Sequence, residues 1–415
     1  MEAGKEVAQR QRRALRANRD FKIVAAGQVV SALGDAVTIT AMPLLVLFLT
    51  GSGALMGVVA ALQVVPDLGL GMFVGALADR WDRRRMIMWA DAGRALLTAA
   101  IPLTYWLDGP TMAVVLIVAI PANTLRLFSD AGLSSAMPSL VGRENLGLAN
   151  SYLEATLSLP FIVGPALAGL MVAVVGAPAT LAIDSVSFVF SAASMLAVRR
   201  HLRAEREGQL PTLLADIKDG ISFVWNHGVL RATISYWSAV SIATAGIVPA
   251  LGFYVTIDRD FGPELFGYIG SAWSIGYLVG SLAAGRFRGA RVGLRMMTVG
   301  VVIAAQLVTI AVTSFAAVYL VAAAIIGGAL AVMLVSYATL RASLTPDAYL
   351  GRVGSTSRTL SAGLRPIGLI AAGGVIELAN AGVALSAMGA ALIIATALAG
   401  LSPSARRASM PVPAS

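Results

Sequence analysis

The chain has 415 residues, of which 57% are hydrophobic and 13% charged, against roughly 25% charged in an average soluble domain. Its 31 Lys+Arg and 22 Asp+Glu are too few to cover a protein of this size with solvated charge, so most of its surface faces lipid and an ordinary soluble enzyme is excluded. The absence of cysteine removes disulfides, thiolate metal sites and a cysteine nucleophile together.

Residues 1–21 form a basic tail with Lys5, Arg10, Arg12, Arg13, Arg16 and Arg19. Beyond it, apolar runs near 20 residues recur, each long enough to cross a hydrocarbon core of about 30 Å. Twelve spans are predicted, at 22–49, 53–78, 86–107, 111–135, 150–175, 178–198, 230–255, 264–285, 296–314, 316–340, 355–376 and 380–402. The first is too long for a signal-peptide core and lacks a small-residue cleavage site, so it is read as a spanning helix.

Ionisable residues inside these spans cost about 2.5–3.5 kcal/mol each, so each needs a partner, a wet cavity or a function. Asp35 in the first span lies about 20 Å along the helix from Lys22, beside Gly34 and near Thr38 and Thr40. It is a candidate proton-coupling carboxylate, the alternative being a structural hydrogen bond to a neighbouring helix. Asp67 follows Pro66 in the second span, where satisfying the proline kink and binding a proton are equal readings. Asp91 and Arg94 in the third span stand at i and i+3, and Arg126 and Asp130 in the fourth at i and i+4, so each pair can neutralise itself on one helix face. Glu154 in the fifth span lines the vestibule or titrates. Gly164, Pro165 and Gly169 let that helix bend and pack closely. Asp184 in the sixth span, flanked by Ser185 and Ser187, reads as a helix–helix hydrogen-bond cluster or a third proton-coupling carboxylate.

The connection 199–229 separates the two sets of six spans, 22–198 and 230–402. Leu213 to Trp225 within it has the spacing of an amphipathic helix and is expected to lie along the inner membrane surface. Both histidines, His201 and His227, fall here, so no imidazole is available at membrane depth and no metal site is expected. Tyr236, Trp237, Phe253, Tyr254, Tyr268 and Trp273 in spans seven and eight are pocket candidates for a bulky apolar substrate or members of an interfacial aromatic belt. Arg365, next to Pro366 in the eleventh span, is a lone cation suited to an anionic group or an acidic partner. The tail 403–415 adds Arg406 and Arg407.

Basic residues crowd alternate loops, and on the opposite loops only Arg259 appears. Under the positive-inside rule this puts both termini and the 199–229 connection in the cytoplasm. It also accounts for the net charge of +9 without a nucleic-acid partner. No lysine sits in a phosphate-binding P-loop, so uphill movement draws on another energy source.

The stretch Gly75 to Arg85, with Asp79, Arg80, Asp82, Arg83 and Arg84, ends the second span, and Gly280 to Arg291 ends the eighth in the same position of its half. Parallel repeats of this kind argue for an all-α polytopic membrane protein of two pseudo-symmetric six-helix bundles. With these residues the chain resembles the major facilitator superfamily, whose G-x-L-a-D-R-x-G-R-R/K signature Gly75 to Arg85 matches except for Asp82 at the last glycine. Gly34-Asp35, Met137-Pro138 to Asn150-Ser151, Gly164-Pro165 and Ile183 to Phe188 resemble more narrowly the macrolide-efflux branch of its drug:proton antiporters, which also contains siderophore exporters. An acidic residue at the position of Asp82 is familiar there. The resemblance implies a cytoplasmic gate network of Asp79, Arg80, Arg84, Asp91, Arg94, Arg126 and Asp130, asymmetric because Ala284 replaces the signature Asp in the second copy. It further implies an antiporter role for Gly164, Pro165 and Gly169, although Ala168 replaces one glycine of the G-P-x-x-G-G pattern. The expected function is proton-driven export of amphipathic organic molecules by alternating access, from a bacterial-type inner or plasma membrane, by a monomer without cofactor. Export of one endogenous metabolite or siderophore, with Arg365 as counter-charge, is the alternative. A receptor retaining the fold is the non-transport reading, and no catalytic constellation supports an enzyme.

Overall fold

A computed structural model describes residues 15, 17–78, 81–199, 213–286, 291–346 and 349–409, and among these the regular secondary structure is helical. The first six long helices are α1 (Arg19–Thr50), α2 (Gly53–Ala78), α3 (Arg83–Trp106), α4 (Thr111–Val141), α5 (Leu146–Val175) and α6 (Ala177–Ala197). The linker helix α7 (Leu213–Asn226) follows. Then come α8 (Gly228–Ala245), α9 (Ile247–Phe253) closed by a π turn at Tyr254–Asp258, α10 (Pro263–Ala284), α11 (Val292–Val312) and α12 (Ala316–Leu344). The chain ends in α13 (Leu350–Gly363), α14 (Arg365–Leu378), α15 (Ala381–Leu401) and the short α16 (Pro403–Arg406). Among the described residues, eleven helical segments are long and apolar enough to cross a membrane, with α8–α9 running to Asp258 as one and α13–α14 as another. The remaining long helix, α2, has a shorter described apolar stretch, Gly53–Leu68.

Turn chemistry ends these helices where the sequence supplies it. Gly142 and Gly176 follow α4 and α5 at φ of 80° and 84°, a conformation that costs glycine least. Asp82 is the N-cap of α3, its carboxylate accepting from the Arg85 amide at 3.2 Å. That cap gives the departure from the glycine of the family pattern a local reason.

The chain divides by its contacts into two units, one of Met1–Met42 with Gly69–Gln209 and one of Pro43–Leu68 with Leu210–Ser415. In lipid, helices gain little from burying apolar area against one another, so close approach through small residues carries the packing. In the first unit Gly34 faces Asp184 and Ser187 of α6, and Gly164 faces Ala36 of α1. In the second, Gly276 and Gly280 of α10 meet the backbone of α12 at Ala324 and Gly328, and Gly57 of α2 meets Leu369 and Gly373 of α14. Glu377 of α14 accepts from the Ser52 hydroxyl at 2.8 Å and the Ala54 amide at 3.2 Å, capping α2.

The linker helix docks within the second unit. Phe223 stacks on Tyr349 with centroids 4.7 Å apart, Arg352 pairs with Asp219 at 3.3 Å, and Gly220 lies against the Arg352 carbonyl. Its other face leaves Trp225 and Ile221 exposed, as an amphipathic helix requires.

Candidate functional site

Four charged side chains from three helices of the first unit gather at membrane depth. Asp35 comes from α1, Asp91 and Arg94 from α3, and Asp184 from α6. Arg94 donates to Asp35 at 2.5 Å, while its distance to Asp91 is 4.0 Å. The guanidinium also lies 3.9 Å from the centre of the Phe188 ring, one turn beyond Asp184 on α6, a favourable place for a desolvated cation.

The pair read along the helix is present, and a closer partner adds to it. The i, i+3 spacing joined Arg94 to Asp91, whereas the closer partner of Arg94 is Asp35 on another helix. A long guanidinium reaches across a helix interface, and periodicity within one helix carries no information about what lies opposite. Asp91 is held instead by the Ser191 hydroxyl, which donates to Oδ2 at 2.6 Å, and by Ser129. Its other oxygen, Oδ1, is buried without a hydrogen-bond partner.

Asp184 is held by hydroxyls alone. Thr38 of α1 donates to Oδ2 at 2.5 Å and Ser187 donates to Oδ1 at 3.1 Å. Thr40 instead turns back to the Ala36 carbonyl of its own helix. The carboxylates differ in access, since the Asp35 side chain is 29% exposed while Asp184 is 1% exposed. Asp35 therefore opens to the surrounding space, and Asp91 and Asp184 stand behind it.

The other expected site residues fall elsewhere. Arg126 and Asp130 pair at 3.0 Å along α4, as their spacing requires. Arg84 donates to the Leu196 carbonyl at 2.8 Å and to the Met195 carbonyl at 2.7 Å, the latter shared with the Val198 amide, so it closes the C-terminal end of α6. Asp79 and Arg80 lie outside the described residues, as does His201. Gly164, Pro165 and Gly169 are buried in α5, and Glu154 is exposed. Tyr236 is 5% exposed and its hydroxyl bonds Thr396 at 2.9 Å and the Met296 carbonyl at 3.4 Å. A phenol buried between helices needs such partners, and an aromatic residue near others in sequence looks the same whether it packs or lines a cavity. Trp237 stacks on Tyr337 with centroids 5.3 Å apart. Tyr254 is likewise buried, its hydroxyl donating to the Ile310 carbonyl at 2.9 Å and receiving Arg259.

In the second unit Arg365 is exposed at the first position of α14, just after α13 ends at Gly363. Pro366 suits that first turn because its missing amide would be unpaired there. Asp67 of α2 acts on Arg365 electrostatically, so the lone cation of the sequence has an acidic partner within its own unit.

These helices match the sequence pattern of the Major Facilitator Superfamily over residues 24–368. The chain belongs to that superfamily. Among related proteins, the multidrug efflux pump Tap of Mycolicibacterium fortuitum is 30% identical over 366 residues, covering 84% of this chain and 87% of the pump. Tap of Mycobacterium tuberculosis is 32% identical over 272 residues, a match spanning 56% of this chain and 64% of that pump's length. Macrolide efflux protein A of Streptococcus pyogenes is 25% identical over 366 residues, covering 84% and 87% of the two chains. The crystal structure of a point mutant of the nucleoside transporter NupG superposes with a TM-score of 0.77 at 13% identity, covering 93% of this chain and all of that one. That likeness is one of fold. The facilitator-superfamily assignment agrees with the resemblance drawn from Gly75 to Arg85, and the efflux relatives agree with its narrower branch. Its members are transporters, not enzymes.

Proposed function

We propose that this chain exports amphipathic organic compounds, macrolide-like drugs or molecules of similar character, in exchange for protons and by alternating access. The observation that carries the reading is the Asp35, Arg94, Asp91 and Asp184 cluster, whose cost at membrane depth calls for a function. Asp35 opens to the surrounding space and is the carboxylate of the cluster that a cationic substrate can reach, so substrate binding and proton binding are linked through the charge the cluster holds. The names of the relatives, a multidrug efflux pump and a macrolide efflux protein, support the substrate class.

The protein works as a monomer of twelve spans, α2 included, with both termini and the 199–229 connection in the cytoplasm of a bacterial-type cell. The distribution of Lys and Arg supports this orientation. Asp79, Arg80, Arg84, Arg126 and Asp130 serve the cytoplasmic gate, with Asp91 and Arg94 linking it to the cluster. A second reading, export of one endogenous anionic metabolite or siderophore, is favoured by the exposed Arg365 at the α13–α14 break.

Uptake into inverted vesicles across a compound panel, with and without a proton gradient, tests the reading. Gradient-dependent uptake of several unrelated amphiphiles, lost in Asp35→Asn, is the expected result. Uptake of a single anionic compound selects the second reading. Uptake indifferent to the gradient removes proton antiport, and a wild-type protein that moves neither compounds nor protons is a receptor.

A further inference from the structure

The cluster holds three carboxylates and one guanidinium, so with every group ionised it carries more negative than positive charge in a buried place. Such a group sheds its charge when no counter-ion is at hand. Arg94 is committed to Asp35 at 2.5 Å. Asp184 has no cation within ion-pair distance among the described residues, and its carboxylate is hydrogen-bonded by the hydroxyls of Thr38 and Ser187. Yet Arg94 stands beside α6, its guanidinium over Phe188, and it acts electrostatically on Asp184 as well as on Asp91. One cation thus lies between an accessible carboxylate and a buried one.

We propose that this is a cation-for-proton exchange site, in which an organic monocation takes Asp35, Arg94 transfers its pairing to Asp184, and Asp184 gives up its proton. The inference rests on the proposed proton antiport and assigns the groups within it. Before exchange the site holds ionised Asp35, Arg94 and protonated Asp184. After exchange it holds the organic cation against Asp35 and Arg94 against ionised Asp184, and one proton has left to water. One positive charge enters and one leaves, so the buried charge is unchanged and neither state is penalised over the other. Asp91, fixed by Ser191 and Ser129, keeps the same state throughout. Asp35 therefore recognises the cation, Asp184 stores the proton, and Arg94 is the positioning residue between them. The reverse exchange, with a proton arriving at Asp184 from the other side, expels the cation.

The test uses the purified full chain in lipid nanodiscs, tetraphenylphosphonium as the cation, and a pH indicator in weakly buffered solution. Wild type should release about one proton per cation bound, the stoichiometry that linked binding requires. Infrared difference spectra should show a carboxylic-acid C=O band disappearing as the cation binds. Asp184→Asn should bind the cation and release no proton, with the band absent, while Asp184→Glu should restore both signals. Asp35→Asn should lose most cation binding and keep the band. Proton release persisting in Asp184→Asn, a wild type that binds the cation without releasing a proton, or a wild type that does not bind it each overturns the proposal. The wild-type band is read without any variant, so a misfolded mutant leaves the proposal testable. Failure of the export reading shows itself separately, as absent gradient-driven transport in proteoliposomes with the binding stoichiometry intact.

Discussion

The carboxylate of Asp184 occupies the space into which a side chain on Gly34 would project. Ser187 shares that space, so the dipeptide Gly34-Asp35 serves two carboxylates at once, offering one and making room for the other. Gly34→Ala should displace Asp184 from Thr38 and destabilise the first unit by about 1–3 kcal/mol, the usual cost of overpacking. Thermal unfolding in detergent measures this. Gly27→Ala is the control, because the atom nearest its new methyl is the terminal hydroxyl of Ser194, and its melting point should fall less.

Removing the cation at the centre of the cluster should cost more than removing either partner. Arg94→Met leaves Asp35 and Asp91 without their guanidinium and should destabilise the protein by about 3–5 kcal/mol. Asp35→Asn in the same chain should recover part of that loss. A double-mutant cycle on unfolding free energy checks this, and additive losses would show that the two groups do not act on one another.

Arg84 has a structural duty independent of any gating. Arg84→Ala should remove the guanidinium from the Met195 and Leu196 carbonyls at the end of α6 and cost about 1.5–3 kcal/mol, the range for hydrogen bonds to a charged group. Arg84→Lys should recover less than half, since an ammonium lacks the planar fork. The check is expression level and melting temperature, with the transport rate normalised per folded molecule.

The linker helix should be held by few contacts and therefore be separable. Phe223→Ala removes a ring stack of about 0.5–1.5 kcal/mol, and Gly220→Val drives a side chain into the Arg352 carbonyl. Limited proteolysis should cut 213–226 faster in both variants, while the melting temperature of the whole protein stays nearly constant. An unchanged cleavage rate in Gly220→Val would show that α7 is not seated on α13 in solution.

Tyr236→Phe should lower stability by about 0.5–1.5 kcal/mol through loss of the Thr396 bond and leave the range of exported compounds unchanged. A shifted compound range would place Tyr236 in the substrate pocket.

Much of the architecture is legible along the chain because the physics is local. A helix in lipid must satisfy its own backbone, so length and apolarity mark it wherever it occurs. Predicted ends lie close to α2, α6 and α10, whereas α3 starts earlier than predicted because Asp82 caps a charged first turn, Arg83 to Arg85, that lies beyond the apolar run. The charged candidates were also legible, since an Asp at membrane depth stands out in composition alone. Their roles were less so. Asp35 and Asp184 are far apart in sequence, and that Thr38, one turn from Asp35, donates to Asp184 is invisible without the α1–α6 interface. Asp82 had a readable signal, an acidic residue just before a helix start, and proves to be a cap.

The sequence by itself determined that this is a polytopic membrane protein, roughly where its helices run, which ionisable residues lie among them, and which superfamily motif ends the second span. These follow from composition, run length and short motifs, each set by neighbours in the chain. Only the tertiary structure decided that Arg94 lies closer to Asp35 than to Asp91, that Arg84 closes α6, that Tyr236 bonds Thr396 across a helix interface, and that Gly34 makes room for Asp184. Side chains that reach across helix interfaces answer to which faces meet, and that is settled by the joint packing of all the helices in a unit, not by the order of residues within any one of them.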